Sequence, residues 1–491
     1  MSVRSQVVNN AVWMFAAEIV DKLCGPLLLF LFARIFGSLV LGEYSFVLSY
    51  VAFAFMLSDL GTTVYAIREC ARKPKQLTFY LSHAAAMRLV LTGLAISALL
   101  LSLLFIDKPH NVVIALLVFT ASTALANLQN VFEITFYSRN NLKTIAIGRM
   151  IERLALFAFG LFAMLVAKNF ILFVAGHLFA QTLHFAWIFL NSRKFAKPAL
   201  QFDWVVWKRF IAVGTPIALT SFLFFVYFRI DILMLSFLRG DQEVGWYSAA
   251  YRILDLVQFF PYILSYSVFP ALLQLHKKDQ KLADVLFTSA ARLLLLIAMP
   301  ITYGIFLLAP LIVALIYGAD FLQTIPALRV MILIVPFLFL DSLFRYVVYT
   351  VNKEWRYLWT LLVLALFNTA LNFIFIPQYG LVAAAWTTLA SEALGFVLFY
   401  LMVRSGGFSL HIGKTLFSVF RALIAAFLVF WAASWALPLT FATLASLLAY
   451  GLVLLLVEFD QGDKDLLRDV TGGVGRHVAQ LCAFMHPKNW F

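Results

Sequence analysis

Long apolar stretches, broken by short polar connectors, run through almost the whole chain. Reading the stretches between connectors predicts spans at 9–33, 44–67, 80–106, 111–138, 144–167, 170–191, 209–236, 245–271, 287–316, 325–351, 355–376, 380–403, 415–437 and 440–458. Each is long enough to cross the hydrocarbon core of a bilayer as a helix, which takes about 20 residues. The runs are continuously apolar and do not alternate, so they do not read as the strands of a closed barrel, the other structure that satisfies its backbone in lipid. The pattern predicts an all-α polytopic membrane protein of about fourteen transmembrane helices.

Alternate connectors differ in charge. One set carries Arg68, Arg72, Lys73 and Lys75, then Arg139 and Lys143, then Arg193, Lys194, Lys197, Lys208 and Arg209. It continues with Lys277, Lys278 and Lys281, Lys353 and Arg356, and Arg404 and Lys414. The opposite set carries Arg34, Lys108, Lys168 and Arg239. Basic connectors stay inside, which predicts a multi-pass protein with both termini in the cytoplasm. The first apolar run is too long for a cleavable signal and reads as a retained span.

The longest basic connector divides the chain into similar parts: an N-terminal lobe at 1–191, a linker at 192–208 and a C-terminal lobe at 209–404. Spans thirteen and fourteen follow at 405–458, then a cytoplasmic tail at 459–491 that reads equally as an interfacial helix or a loose segment. Leu41-Gly42-Glu43-Tyr44-Ser45 after the first span is echoed by Val244-Gly245-Trp246-Tyr247-Ser248 after the seventh. Two pseudo-symmetric six-helix lobes are expected to line a cavity, as transporters built from repeats do. Pro216, Pro261, Pro300 and Pro336 fall within spans and are expected to kink them.

Composition sharpens the class. Of 491 residues, 63% are hydrophobic and 12% charged, against about 45–50% and about 25% in soluble domains. A soluble enzyme, a disordered chain and a disulfide scaffold are excluded. The net charge of +13 resides mostly in connectors, so it reads as topology and as affinity for an anionic substrate, not nucleic acid. Cys24, Cys70 and Cys482 are too scattered for a disulfide framework or metal knuckle. The glycines from Gly472 to Gly475 lack the strand and Lys-Ser/Thr of a nucleotide loop, and no catalytic residue, metal site or organic cofactor is expected.

The informative residues are the charges within spans, each costing at least about 2.5–3.5 kcal/mol at the bilayer centre unless it faces protein or water. Lys22, Arg88, Arg229 and Arg252 read as substrate-facing, since cations in both halves suit a phosphate. Arg149 with Glu152, Asp341 with Arg345, and Arg292 read first as structural pairs or snorkelling groups. With Arg149 and Arg153 added, the candidate cationic set is Lys22, Arg88, Arg149, Arg153, Arg229 and Arg252. Asp21, Asp231, Asp255 and Glu392 are candidates for carrying a coupling H+ or Na+, or for compensating charge. His177 and His184 share a face of the sixth span and read as core.

Several segments resemble one family. Leu41 to Tyr50, Ser58-Asp59-Leu60-Gly61 and Ile67-Arg68-Glu69 look like the second-span region of bacterial polysaccharide-biosynthesis flippases. Arg229-Ile230-Asp231, the run Glu243 to Arg252, and Phe269-Pro270 look like its seventh-to-eighth-span signature, and Ile376 to Gly380 is also typical. The resemblance is to the Wzx-like O-antigen branch of the multidrug/oligosaccharidyl-lipid/polysaccharide exporter superfamily. It implies a flippase moving undecaprenyl-diphosphate-linked oligosaccharide from the inner to the outer leaflet of the bacterial plasma (inner) membrane by ion-coupled alternating access, among membrane lipids and alongside polysaccharide polymerase machinery. It carries Arg229, Asp231 and Arg252 by motif. The competing readings are an exporter of small amphiphilic drugs on the same fold and, less well supported, a polyprenyl-phosphate-dependent glycosyltransferase.

Overall fold

A computed structural model describes residues 3–351, 354–410 and 413–457. The expectations placed on the tail, on Cys482, on Gly472 to Gly475 and on Lys353 lie outside the described residues. Every regular element among the described residues is helical. In order they are α1 (Val3–Phe55), α2 (Thr62–Arg72), α3 (Leu77–Ser102), α4 (His110–Ser138), α5 (Leu142–Leu165), α6 (Phe170–Ser192), α7 (Trp204–Leu238) and α8 (Asp241–Val257). Then come α9 (Phe259–Lys278), α10 (Gln280–Ile316), α11 (Thr324–Ile332), α12 (Val335–Thr350), α13 (Glu354–Arg404), α14 (Gly413–Ser434) and α15 (Leu439–Val457). Two of them hold a pair of spans each, joined at a left-handed glycine: Gly37 in α1 (φ 82°) and Gly380 in α13 (φ 58°).

Three predicted spans are composite, and proline explains two of the breaks. Pro261 and Pro336 cannot donate to the carbonyl four residues earlier and crowd it. Those carbonyls belong to Val257 and Ile332, the last residues of α8 and α11. Span eight is therefore α8 with α9, and span ten is α11 with α12, bent by 43°. Pro216 and Pro300, by contrast, sit inside the unbroken helices α7 and α10. The second span is interrupted after Phe55 and resumes as α2, through positive-φ Leu60 and Gly61.

By length and hydropathy, nine described helical stretches could cross a membrane, ten if α11 and α12 count as one. Helix α5 is not among them, because Arg149, Glu152 and Arg153 fall within every 18-residue stretch of it. The repeat extends beyond its motif. Gly37 and Gly240 (φ 97°) each stand five residues before Gly42 and Gly245, and the tyrosines that follow, Tyr44 and Tyr247, are both buried.

The chain forms two compact units, one reaching Leu233 and the other starting at Met234. In the first, Tyr65, Leu81, Met87, Val131, Ile134 and Phe210 share a core that also takes in Ala196 of the connector. Gly61 and Gly214 let the start of α2 meet α7 backbone to backbone, where a methyl group on either would clash. In the second unit, α14 and α15 pack through Ala422, Ala426, Tyr450 and Leu454.

Candidate functional site

The first helices meet at polar ends. Gln6 and Asn10 of α1 donate to the Asn140 carbonyl in the α4–α5 turn (3.1 and 2.6 Å), and the Lys143 ammonium lies 4.8 Å from the Trp13 ring. Further along, α1 and α5 are linked by the Arg153–Asp21 ion pair, while Lys22 lies 3.9 Å from Glu18 one turn away. Arg153 is the twelfth residue of the 24 in α5, about 17 Å from its start and so near mid-helix. These groups are not enclosed. The side chains of Glu18, Asp21, Lys22 and Arg153 are 49%, 40%, 47% and 33% exposed. Arg149, also exposed, donates to the Tyr137 hydroxyl at 3.4 Å. Three cations and two anions thus share an accessible face on two membrane-length segments. Charge presented to hydrocarbon is costly, so this face is built for water or a polar ligand.

Arg88 is placed differently. Only 2% exposed, it donates to Asp59, to Thr63 Oγ1 (2.6 Å) and to Asn127 Oδ1 (3.3 Å). Asp59 Oδ1 also accepts from the Thr63 N–H (3.1 Å) and from both threonine hydroxyls (2.9 Å each). The guanidinium therefore anchors the start of α2. The expected Arg149–Glu152 pair is replaced as well, because Glu152 turns to His184.

Arg229 and Asp231 lie in the first unit, Arg252, Asp255 and Glu392 in the second. Asp231 is buried and accepts from the Ile232 N–H at 2.8 Å. Arg252 lies 3.6 Å from Asp255, both partly exposed. Glu392 is buried on α13. Asp341 and Arg345 pair along α12 at 3.4 Å.

Sequence reading missed a polar core in α4, α5 and α6. His177 fits the reading as core: its Nε2 lies 2.8 Å from the Tyr44 hydroxyl, among Phe119 and Phe173. His184 does more. Its Nδ1 is 2.7 Å from Glu152 Oε2 and its Nε2 is 3.7 Å from Glu133 Oε1. Gln129 donates to Glu133 (2.9 Å) and accepts from Gln181 (2.6 Å). The available signal was polar residues at helical spacing, Gln129 with Glu133 and Gln181 with His184, on stretches otherwise apolar. Glu243 was also missed: it accepts from the Leu381 N–H (2.8 Å), capping the second arm of α13 just after Gly380.

The second unit adds two features. Asn368, Asn372, Thr387 and Ser391 form a buried, uncharged network within α13. Between α10 and α15 lies an apolar groove of about 720 Å³, lined by residues such as Leu296, Pro300, Ile301, Leu447, Tyr450 and Leu454.

The model of the polysaccharide biosynthesis protein family matches residues 7–276, more than half of the chain. The chain belongs to this family. A second model, MatE, matches 216–374. Among solved structures, an inward closed conformation of the lipid II flippase MurJ is similar with a TM-score of 0.71 at 18% identity, covering 94% of this chain and 99% of that one. An inward-facing multidrug resistance MATE family transporter of the MOP superfamily gives 0.63 at 13% identity, covering 81% and 99%. A MOP superfamily transporter from Pyrococcus furiosus, described as having a binding pocket of reverse polarity, gives 0.53 at 13%, covering 83% and 98%. No curated relative matches the sequence. This polysaccharide biosynthesis family member thus has the transporter fold shared by flippases and multidrug exporters, and is a multi-pass membrane protein.

Proposed function

We propose that the protein is a flippase for undecaprenyl-diphosphate-linked oligosaccharide, working by ion-coupled alternating access in a bacterial inner membrane with both termini cytoplasmic. The observation that carries the reading is the accessible charged face of α1 and α5, with Arg153 half-way along α5, Arg149 one turn nearer its start and Lys22 well inside α1. A diphosphate needs such a path, since an unpaired charge cannot be left in hydrocarbon. In this reading Arg149 and Arg153 offer forked donors and Lys22 a point charge. Arg229 and Arg252 complete the set, Asp21, Asp231, Asp255 and Glu392 balance or couple charge, and Arg88 holds the frame. The groove between α10 and α15 suits the isoprenoid tail, whose apolar surface favours Leu, Ile and Pro side chains over water. The protein acts as a transporter and not an enzyme, upstream of a polymerase.

The MatE match and the multidrug neighbour favour export of amphiphilic drugs as the second reading. Native mass spectrometry of the purified protein separates the two. Undecaprenyl-diphosphate oligosaccharide should bind, and Arg153→Ala should weaken it ten- to a hundredfold, the worth of a charge-assisted hydrogen bond of roughly 1.5–3 kcal/mol. Equal binding of a phosphate-free polyprenyl sugar, or stronger binding of a cationic drug, would overturn the assignment.

A further inference from the structure

The polar core of α4, α5 and α6 is expensive to bury and takes no part in the substrate path just described. Glu133 and His184 are 6% and 2% exposed, and Glu152, at 35%, connects them to the accessible face. The chain makes room for this arrangement. A Cβ at Gly148 would lie 2.5 Å from His184 Cδ2, so glycine lets the imidazole lie against α5.

We infer that His184 is a proton-binding site, its protonated form held by Glu152 beside the charged face of α1 and α5, and that the proton it takes up is the coupling ion. Donor count decides the protonation state. A neutral imidazole has one N–H, an imidazolium two, and two carboxylates flank this ring: Glu152 at 2.7 Å from Nδ1 and Glu133 at 3.7 Å from Nε2. With the N–H on Nδ1 directed to Glu152, Nε2 is left to accept. The Gln129 amide nitrogen, 3.1 Å from both ring nitrogens, turns one hydrogen to the ring while its second goes to Glu133 at 2.9 Å. Gln181, donating to the Gln129 carbonyl oxygen, keeps the amide turned this way.

A proton taken up by the ring binds Nε2, the nitrogen left to accept, because Nδ1 already carries its hydrogen toward Glu152. The ring then carries two N–H groups, and the second faces Glu133. Gln129 loses its acceptor on the ring and must turn or withdraw, so α4 and α6 register the protonation.

The surrounding charges set the balance. On α4 the core faces Glu133 and Tyr137; on α5 Arg149, Glu152 and Arg153; on α6 His177; and α1 contributes Tyr44 and Asp21, the latter through Arg153. Arg153 is the shared member: bound to Asp21 it leaves Glu152 to the histidine, and a diphosphate drawing it away would alter the charge that Glu152 feels. That is a direct link between substrate and proton.

The coupling role rests on the flippase reading; the proton site does not. The test is a pH titration of the protein in nanodiscs with isotope-labelled histidine. The His184 resonance is identified by its loss in His184→Gln or, should that variant not fold, by its displacement in Gly148→Ala. It should change from a single-tautomer to an imidazolium signature across a range from mildly alkaline to mildly acid pH. Glu152→Gln should push that change to more acid pH, because a stabilising carboxylate is gone. One unchanged tautomer across that range, or a titration indifferent to Glu152→Gln, would overturn the site. If the titration holds while wild-type proteoliposomes fail to translocate the lipid-linked sugar, the flippase reading falls and the proton site stands.

Discussion

The two units use charge differently. In the first, beside local pairs such as Lys22–Glu18 and Lys73–Glu69, ion pairs also join separate helices: Arg153 of α5 to Asp21 of α1, His184 of α6 to Glu152 of α5, and Arg88 of α3 to Asp59 before α2. In the second, Arg239–Glu243, Arg252–Asp255 and Asp341–Arg345 each join residues three or four apart. The second unit also satisfies buried polarity with neutral Asn, Thr and Ser of α13 and presents an apolar groove. A pair between helices fixes how they sit, and breaking it strands a charge. A pair within one turn mainly steadies a side chain. In the proposed mechanism the first unit senses a charged ligand and a proton, and the second offers the surface for an apolar one.

The largest effect that would sharpen this contrast is at Arg88. Arg88→Met should cost about 3 kcal/mol, the low end for breaking a buried pair, because Asp59 keeps contact with water. Thermal unfolding in detergent would show it. Arg239→Met, in a local and more exposed pair, should cost about 0.5 kcal/mol or less. Equal losses would erase the distinction between the units.

Next comes a pair of glycines of opposite sign. Gly148→Ala forces a methyl group against His184 and should destabilise by about 1–3 kcal/mol. Gly93→Ala, with nothing within 4 Å of the new methyl, should be neutral or stabilising by up to about 1 kcal/mol. Melting curves of the two variants check both signs.

How much of this was legible follows from the range of each signal. Span order and the repeat were legible because apolar runs and the Leu41–Ser45 echo are local patterns; the structure adds the matched Gly37 and Gly240. The Asp341–Arg345 pair was legible for the same reason, since i,i+4 residues share a face. The partners of Arg88, Arg153 and His184 were not, because each lies on another helix and nothing in one sequence states which helices meet. Arg88, read as substrate-facing, turned out to be enclosed by Asp59, Thr63 and Asn127. Prolines divided similarly: Pro261 and Pro336 end helices, while Pro216 and Pro300 are absorbed.

The smallest predicted effect is at Cys70, buried at the end of α2 beyond the apolar part of its span. Burial pushes its thiol up to about 12, with the neighbouring Glu69 adding to the shift. A free thiol ionises near pH 8.5. Ionisation therefore favours the unfolded chain between these values, and stability should decline as pH rises through that window. Maleimide should leave Cys70 unlabelled in the folded protein near neutral pH and label it after denaturation. Rapid labelling of the folded protein would show that the α2 end is open.

The central claim, that this family member carries a lipid-linked diphosphate sugar along the charged face of α1 and α5, is tested most directly by translocation in proteoliposomes. Undecaprenyl-diphosphate oligosaccharide placed in one leaflet should become accessible to an impermeant glycosidase on the other side. The wild type should do this far faster than protein-free vesicles, and Arg153→Ala should slow it about tenfold or more while remaining folded. Transfer no faster than in empty vesicles, or a rate unchanged by Arg153→Ala together with Arg149→Ala, would contradict the account.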